Sequence, residues 1–433
     1  MLVKKFILPT LLASSFTWAV SPTSKEIEAL QKQLELQAKQ IEYLQQKLER
    51  METERDRLTA YQQTKEESPI IYLRPGIEGL QIKADLRLRY EKRSGNDANY
   101  NRFQTRFRLG FKWLNPEKNF EIGAGFITGS ENPSTSNNTH SNEYPFQSGD
   151  LRLDYAYARH FWDDFSVTVG QAPNPYLTSA ILWDPSVLPV GVTVNWRGTE
   201  VQKGKQEGFY AIAGIYDFAY APDNDTDNES FITAMQLGWA PIANKDNSLL
   251  FTTSAYLYDS AASEANTFVN NNGDRVVPNQ DFDYTFSLVD IYVKGRHKFS
   301  DELSASLYTH GVMNVGAGSG DQSVLGGNEQ ADDHNIAYLL GSQIDLDNFY
   351  LKTEYRYIEA DSVNSWFQDP VFGSGTGVGV NAKNNVEGLH MTLGYKISSN
   401  MNVYFVWMHY KEIEEQPDSE SIDLYQLNLL YSF

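Results

Sequence analysis

The chain has 433 residues, a formal net charge of −20 and no cysteine. The lack of cysteine excludes disulfides, thiolate zinc sites and cysteine nucleophiles. The acidic balance argues against nucleic acid as a partner, because attraction to phosphate requires a basic surface.

Residues 1–19 have the features of a secretory signal peptide. Lys4 and Lys5 precede the apolar stretch FILPTLLASSF, and residues 17–19 (Thr-Trp-Ala) approximate a small-x-small cleavage site. We expect cleavage near Ala19. The alternative is a membrane anchor, but the apolar stretch is shorter than the roughly 18–20 residues that span a bilayer.

Residues 24–62 predict an α-helical coiled coil. Between Ile27 and Leu58 the a and d positions recur at alternating spacings of three and four, most of them apolar, and the segment has no Gly or Pro. One such helix needs partner copies, so the seam predicts a homo-oligomer of two or three strands. The alternative is a lone amphipathic helix that packs on the rest of the chain. Pro69 and Pro75 then mark a linker over residues 63–78.

From about Leu80 the hydrophobic period changes to two, which is typical of β-strands. In DLRLRYE, Leu86 and Leu88 lie on one face, while Arg87 and Arg89 lie on the other. Similar segments start near residues 80, 99, 118, 148, 164, 190, 207, 229, 247, 282, 302, 333, 348, 384, 401 and 420.

The connections between these segments alternate between short turns and long loops. This alternation and the even strand number predict an all-β fold over residues 79–433, a transmembrane antiparallel barrel of about 16 strands. A secreted, soluble β protein is the alternative. It would have to bury the Arg and Lys faces in its core, whereas a wet lumen accepts them.

Five segments that follow the predicted coiled coil resemble those of a known family. They are DLRLRYE, NRFQTRFRLGF, AGFITGSENPSTSN, DLRLDYAYARH and VGQAPNPYLTSAILWDPSVLPVGVTVNW. The chain resembles the putative porin family of Gram-negative outer membranes and, more loosely, the phosphate-selective porins. The resemblance implies a trimeric outer-membrane channel for small solutes, without identifying the solute. It also implies that the coiled coil is a periplasmic stalk.

Residues 173–189 are the candidate constriction loop, because general porins fold their third long loop into the lumen. Four prolines stiffen the segment, and its AILW motif would need a surface to pack on. We expect Trp183 to anchor it and Asp184 to be its main charge. An ordinary exposed loop is the alternative.

The inward faces of the first, second and fourth predicted strands are rich in arginine. The candidate pore-lining residues are Arg87, Arg89, Arg102, Arg106, Arg108 and Arg152. Clustered guanidiniums would attract anions and stay charged. They could instead form salt bridges with Asp85, Glu91 and Asp154, and acidic outer loops could favour cations.

The segment DLYQLNLLYSF predicts the strand that closes the barrel against the first. Its lipid-facing residues resemble the signal by which the assembly machinery recognises outer-membrane barrels, and they are Tyr425, Leu427, Leu429, Tyr431 and Phe433.

No cofactor, metal site or catalytic set is predicted. The seven histidines show no metal-ligand spacing, and the acidic run 223–229 departs from a calcium-loop pattern. The leading hypothesis is a passive diffusion channel. The alternatives are a tether from the outer membrane to peptidoglycan through the coiled coil, and an outer-membrane barrel enzyme.

Overall fold

The computed structural model describes residues 78–95, 99–129, 136–140, 149–220, 229–259, 268–269, 275–276, 284–374, 384–414 and 421–433. The predicted signal peptide and coiled coil lie outside the described residues, as does the linker apart from Glu78. All described residues belong to one compact unit, Ser68–Phe433.

The described part of the chain is built from β-strands. In chain order they are β1 (Leu80–Ser94), β2 (Tyr100–Leu114), β3 (Phe120–Thr128), β4 (Asn138–His140), β5 (Leu151–Trp162), β6 (Phe165–Gln171), β7 (Val190–Trp196), β8 (Gly208–Tyr220), β9 (Glu229–Ala243), β10 (Asn247–Tyr258), β11 (Phe268–Val269), β12 (Arg275–Val276), β13 (Ser287–Lys298), β14 (Leu303–Asn314), β15 (Ile336–Leu346), β16 (Phe349–Ile358), β17 (Val386–Lys396), β18 (Met401–Glu412) and β19 (Ile422–Ser432).

Sixteen of these strands form a closed antiparallel barrel. Each pairs with its neighbours along the chain, and β1 pairs with both β2 and β19, which closes the ring. The short β4 pairs with β2 beyond the end of β3, and β11 pairs only with β12. The predicted all-β, sixteen-stranded antiparallel barrel is therefore confirmed.

The predicted strand starts lie close to the observed ones. The largest difference is at β13, where the pattern predicts a start near residue 282 and the ladder begins at Ser287. Tyr284 and Phe286 continue the alternation of apolar residues, but they lie before the strand. They pack inward among loop residues, and their rings lie 5.5 Å apart.

The two faces of the barrel differ as a membrane-crossing barrel requires. Outward side chains are apolar and exposed, such as Leu307 at 68% and Ile291 at 62%. Inward side chains include buried polar groups, such as Glu91, Gln236 and His310. The alternation follows from the period of two in an extended strand.

Several inward tyrosines lie flat over glycines of adjacent strands. A Cβ built on Gly341 would lie 2.2 Å from the Tyr308 ring, and one built on Gly394 would lie 2.1 Å from the Tyr350 ring. Glycine at these positions leaves room for the ring, so large side chains cover the inner wall without displacing the backbone.

The described residues contain one short α-helix, α1 (Gly198–Val201), and one 3-10 turn, Ala331–Asp333. No helix in the described ranges is long and apolar enough to cross a membrane.

Candidate functional site

The connection between β6 and β7, residues 172–189 and here called loop A, lies inside the barrel. Ile181, Leu182 and Trp183 are at most 1% exposed. The Trp183 ring lies 6.4 Å from that of Tyr216 and 6.0 Å from that of Tyr256, both of which point inward from the wall. The AILW motif thus finds its packing surface on the inner wall.

Polar contacts attach loop A to strands on one side of the barrel. Gln236 on β9 accepts a hydrogen bond from the Leu177 amide (2.9 Å) and donates one to the Leu177 carbonyl (2.8 Å). On β14, the His310 ring contacts the Ser179 hydroxyl. The loop is therefore fixed both by apolar packing and by directed bonds.

The Asp184 carboxylate is engaged within its own turn. It accepts hydrogen bonds from the Ser186 amide (2.8 Å) and from the Ser186 hydroxyl. The Asp184 amide donates to the carbonyl of Phe367. The carboxylate of Asp184 thus stabilises its own turn, and its backbone amide connects loop A to a second loop. Its negative charge also contributes to the electric field in the lumen.

Phe367 belongs to a second inward loop, residues 359–374 after β16, here called loop B. Residues 360–368 are all buried. The Phe367 ring lies 4.8 Å from that of Trp183, and the Asp369 amide donates to the Ala180 carbonyl at 2.9 Å. Loop B was not predicted from the sequence, although the apolar residues Trp366, Phe367 and Phe372 in a polar stretch are a signal for it.

A buried ionic cluster holds loop B to the wall. Arg356 on β16 donates to Asp369 at 2.7 Å and to Glu354 at 2.6 Å, and its guanidinium lies 5.0 Å from the centre of the Phe372 ring. Burial alone would raise the pKa of the Asp369 carboxyl, but the Arg356 charge outweighs burial and holds this pKa well below its usual range.

The six predicted arginines lie on β1, β2 and β5, and the strand register brings those of β1 and β2 together. Arg87 is directly opposite Arg106, and Arg89 is opposite Gln104. Arg152 on β5 lies two strands from Arg108, across β3, since Ile127 of β3 pairs with both Arg108 and Arg152.

Carboxylates on the same wall pair with several of these arginines. Asp85 accepts from Arg106 (2.8 Å) and Arg108 (2.6 Å), while Glu91 accepts from Arg102 at 2.6 Å. The salt-bridge alternative thus describes part of the cluster. Even so, the Arg108 side chain is 45% exposed, so pairing does not remove it from the lumen.

Cations outnumber anions on the inner face of β1, β2, β3 and β5, here called the basic wall. The ten basic residues are Lys83, Arg87, Arg89, Arg93, Arg102, Arg106, Arg108, Lys112, Arg152 and Arg159, and the four acidic ones are Asp85, Glu91, Glu121 and Asp154. Loop A contacts β8, β9, β10 and β14, about half-way round the ring. The basic wall therefore lies across the ring from the strands that loop A contacts.

Three comparisons relate the chain to known proteins. A family model described as "Putative porin" matches residues 50–288, more than half of the chain. The high-pH structure of Pseudomonas putida OprB is 11% identical, with a TM-score of 0.51, over 82% of this chain and 94% of that one. The Salmonella typhi OmpF complex with daunomycin is 12% identical, with a TM-score of 0.49, over 84% of this chain and 100% of that one. At 11% identity, the similarity to the OprB structure shows a shared fold alone. No curated protein matches the sequence significantly.

Proposed function

Because the chain belongs to the putative porin family, we propose that it is an outer-membrane channel for passive diffusion of small hydrophilic solutes, with a preference for anions. The family and the closed barrel indicate a channel rather than an enzyme, and an outer-membrane location.

The basic wall supports the anion preference. Fixed guanidiniums raise the local anion concentration in a narrow aqueous passage, and arginine stays protonated at any physiological pH. With ten cations against four carboxylates, the wall keeps a positive excess after every ion pair is formed. This excess contrasts with the net charge of −20 for the whole chain.

Loops A and B support a narrowed passage. Their buried residues fill the side of the lumen next to β8 to β16, so a solute has to pass along the basic wall. In this proposal Trp183 anchors the constriction, and Arg87, Arg89, Arg102, Arg106, Arg108 and Arg152 line the passage beside it.

We propose further that the channel is a homotrimer in outer-membrane lipid, inserted by the barrel assembly machinery. The proposal rests on the family and on the heptad pattern of residues 24–62. The same segment, as a periplasmic stalk, could tether the membrane to peptidoglycan. Deleting residues 24–62 tests this second role, since a tether predicts a loosened envelope with unchanged conductance.

Reversal potentials in planar bilayers under asymmetric KCl test the proposed selectivity. We expect the wild-type protein to prefer chloride, and the double variant Arg106→Ser, Arg108→Ser to shift the reversal potential toward that of potassium. The control is Lys203→Ser, Lys245→Ser, which removes the same charge at exposed turns, where the two side chains are 55% and 89% exposed. A wild-type cation preference, or equal shifts in both double variants, would contradict the proposal.

A further inference from the structure

We propose that loop B is a second constriction element beside loop A, and that Arg356 is the residue that positions it. This inference rests on the proposed channel function. It assigns the size limit of the channel to two loops acting together, whereas the sequence pointed to loop A alone.

Loop B extends the obstruction across the lumen. It begins after β16 and reaches Tyr410 on the inner face of β18, whose hydroxyl donates to the Ser374 carbonyl at 3.2 Å. The rings of Phe372 and Tyr410 lie 5.1 Å apart. Since β18 lies only two strands from β1 in the ring, loop B brings the filled region close to the basic wall.

Burial differs along loop B. Residues 360–368 are all buried, against loop A and the wall. In the second part, Phe372 and Gly373 are also buried, but Asp369, Pro370, Val371 and Ser374 are half-buried. The second part of the loop is therefore the part that borders the remaining lumen. Its position decides how wide the passage is.

The first part of loop B has several anchors of its own. Asn384 donates to the carbonyls of Ala360 and Val363, each at 2.8 Å. Asp361 accepts from the Tyr284 hydroxyl at 2.6 Å and from the Val324 amide at 3.1 Å. These contacts do not involve Arg356, so they should keep the first part in place when Arg356 is changed.

Arg356 is the charged link between the wall and the second part of loop B, which the Tyr410 hydroxyl also contacts. The Arg356 side chain is 3% exposed and donates to two carboxylates, Glu354 on its own strand and Asp369 on the loop. Removing one partner of a buried ion pair leaves the other charge without compensation. Lysine cannot replace the planar fork that reaches both acids.

The test compares Arg356→Ala with Lys352→Ala. Lys352 also pairs with Glu354, at 2.6 Å, and also lies on the inner face of β16, so both changes remove one lumenal cation beside the same carboxylate. We expect Arg356→Ala to raise the single-channel conductance and to admit larger neutral sugars in liposome swelling, and Lys352→Ala to leave the sugar limit unchanged. Arg356→Lys should behave like Arg356→Ala for the sugar limit.

A thiol probe provides a second measurement, which does not require loop B to detach from the wall. The chain has no cysteine, so Ser374→Cys and the turn control Ser300→Cys each carry one thiol. A bulky methanethiosulfonate reagent should lower the conductance of Ser374→Cys and leave that of Ser300→Cys unchanged. Labelling of Ser374→Cys without a fall in conductance, or failure to label it, would overturn the role of loop B.

The outcomes separate this inference from the proposed function. If the wild-type barrel conducts but Arg356→Ala and Lys352→Ala admit sugars up to the same size, Arg356 does not position the constriction. The proposed channel function is then unaffected. If the folded wild-type protein does not conduct, the channel itself is refuted, and the role of loop B with it.

Discussion

The hydroxyl of Ser179 and Nδ1 of His310 are joined by a hydrogen bond of 2.7 Å. The other ring nitrogen, Nε2, faces the Asp290 carboxylate at 3.3 Å. His310 and Asp290 are completely buried beneath loop A. The three residues have the composition of a catalytic triad, but their enclosure and their link to the loop favour a fastening role.

Changing His310 should therefore weaken the attachment of loop A. His310→Phe removes the ring that contacts both Ser179 and Asp290, and we expect it to lower the free energy of unfolding by about 1–3 kcal/mol. Ser179→Ala removes one hydrogen bond and should cost about 1 kcal/mol. Urea titration of the barrel in lipid vesicles measures both values, with Ser399→Ala at an exposed turn as the control.

Gly341→Ala should disturb the inner wall. The added methyl group would lie 2.2 Å from the Tyr308 ring, so the ring must move and its 2.7 Å hydrogen bond to Glu354 is strained. We expect a loss of about 1–3 kcal/mol, typical of overpacking. The matched control is Gly311→Ala on the adjacent strand, where a Cβ has no neighbour within 4 Å. Equal heat stability of the two variants in detergent would contradict this packing argument.

Asp361 should make the loops pH-sensitive. Burial raises the pKa of this carboxyl above its ordinary value of 3.8, despite hydrogen bonds from Ser323 and Tyr284 that act in the opposite direction. A raised folded-state pKa gives a stabilising contribution that is complete below the ordinary pKa and is lost as pH rises through the folded one. The free energy of unfolding of the wild type, relative to Asp361→Asn, should thus fall as the pH rises above the ordinary range of an aspartate carboxyl.

Phe433 closes the barrel against β1. Its amide donates to the Ala84 carbonyl at 2.9 Å, and the Ala84 amide donates to the Phe433 carbonyl at 2.7 Å. Deleting Phe433 removes both bonds, so we expect a lower yield of assembled barrels, with unchanged conductance in those that form.

The variant Phe433→Ala separates the two contributions of this residue. It keeps the backbone bonds and removes only the aromatic ring, so a yield as low as that of the deletion would assign the defect to the ring as a recognition signal. Membrane fractionation and heat-modifiability on gels give the yield in both cases.

The strands were predictable because burial on one face imposes a strict period of two. The segment Leu80–Ser94 shows it clearly, with Leu86 and Leu88 exposed on the outside and Arg87 and Arg89 inside. The inward position of loop A was also predictable, since exposing the apolar AILW motif to water is unfavourable. Its fastening to His310 was not, because Ser179 and His310 are 131 residues apart in sequence.

Loop B escaped prediction for a related physical reason. Its residues Asp361, Ser362, Asn364 and Gln368 read as a solvated loop, yet all are at most 3% exposed. Partners from distant segments bind two of them: Tyr284 and the Val324 amide donate to Asp361, and Gln368 donates to Asn384 at 2.5 Å. A sequence pattern carries no record of such partners.

The placement of loops A and B gives the barrel two kinds of interior. Next to β8 to β16 the wall behaves as the core of a folded domain, where a change in side-chain volume disturbs neighbours such as Trp183 and Tyr256. Along β1 and β2 the wall behaves as a wet surface, where Arg108 can change with little effect on packing. Substitutions of charged residues along β1 and β2 can therefore change which solutes pass, while the packed wall next to β8 to β16 maintains the architecture of the barrel.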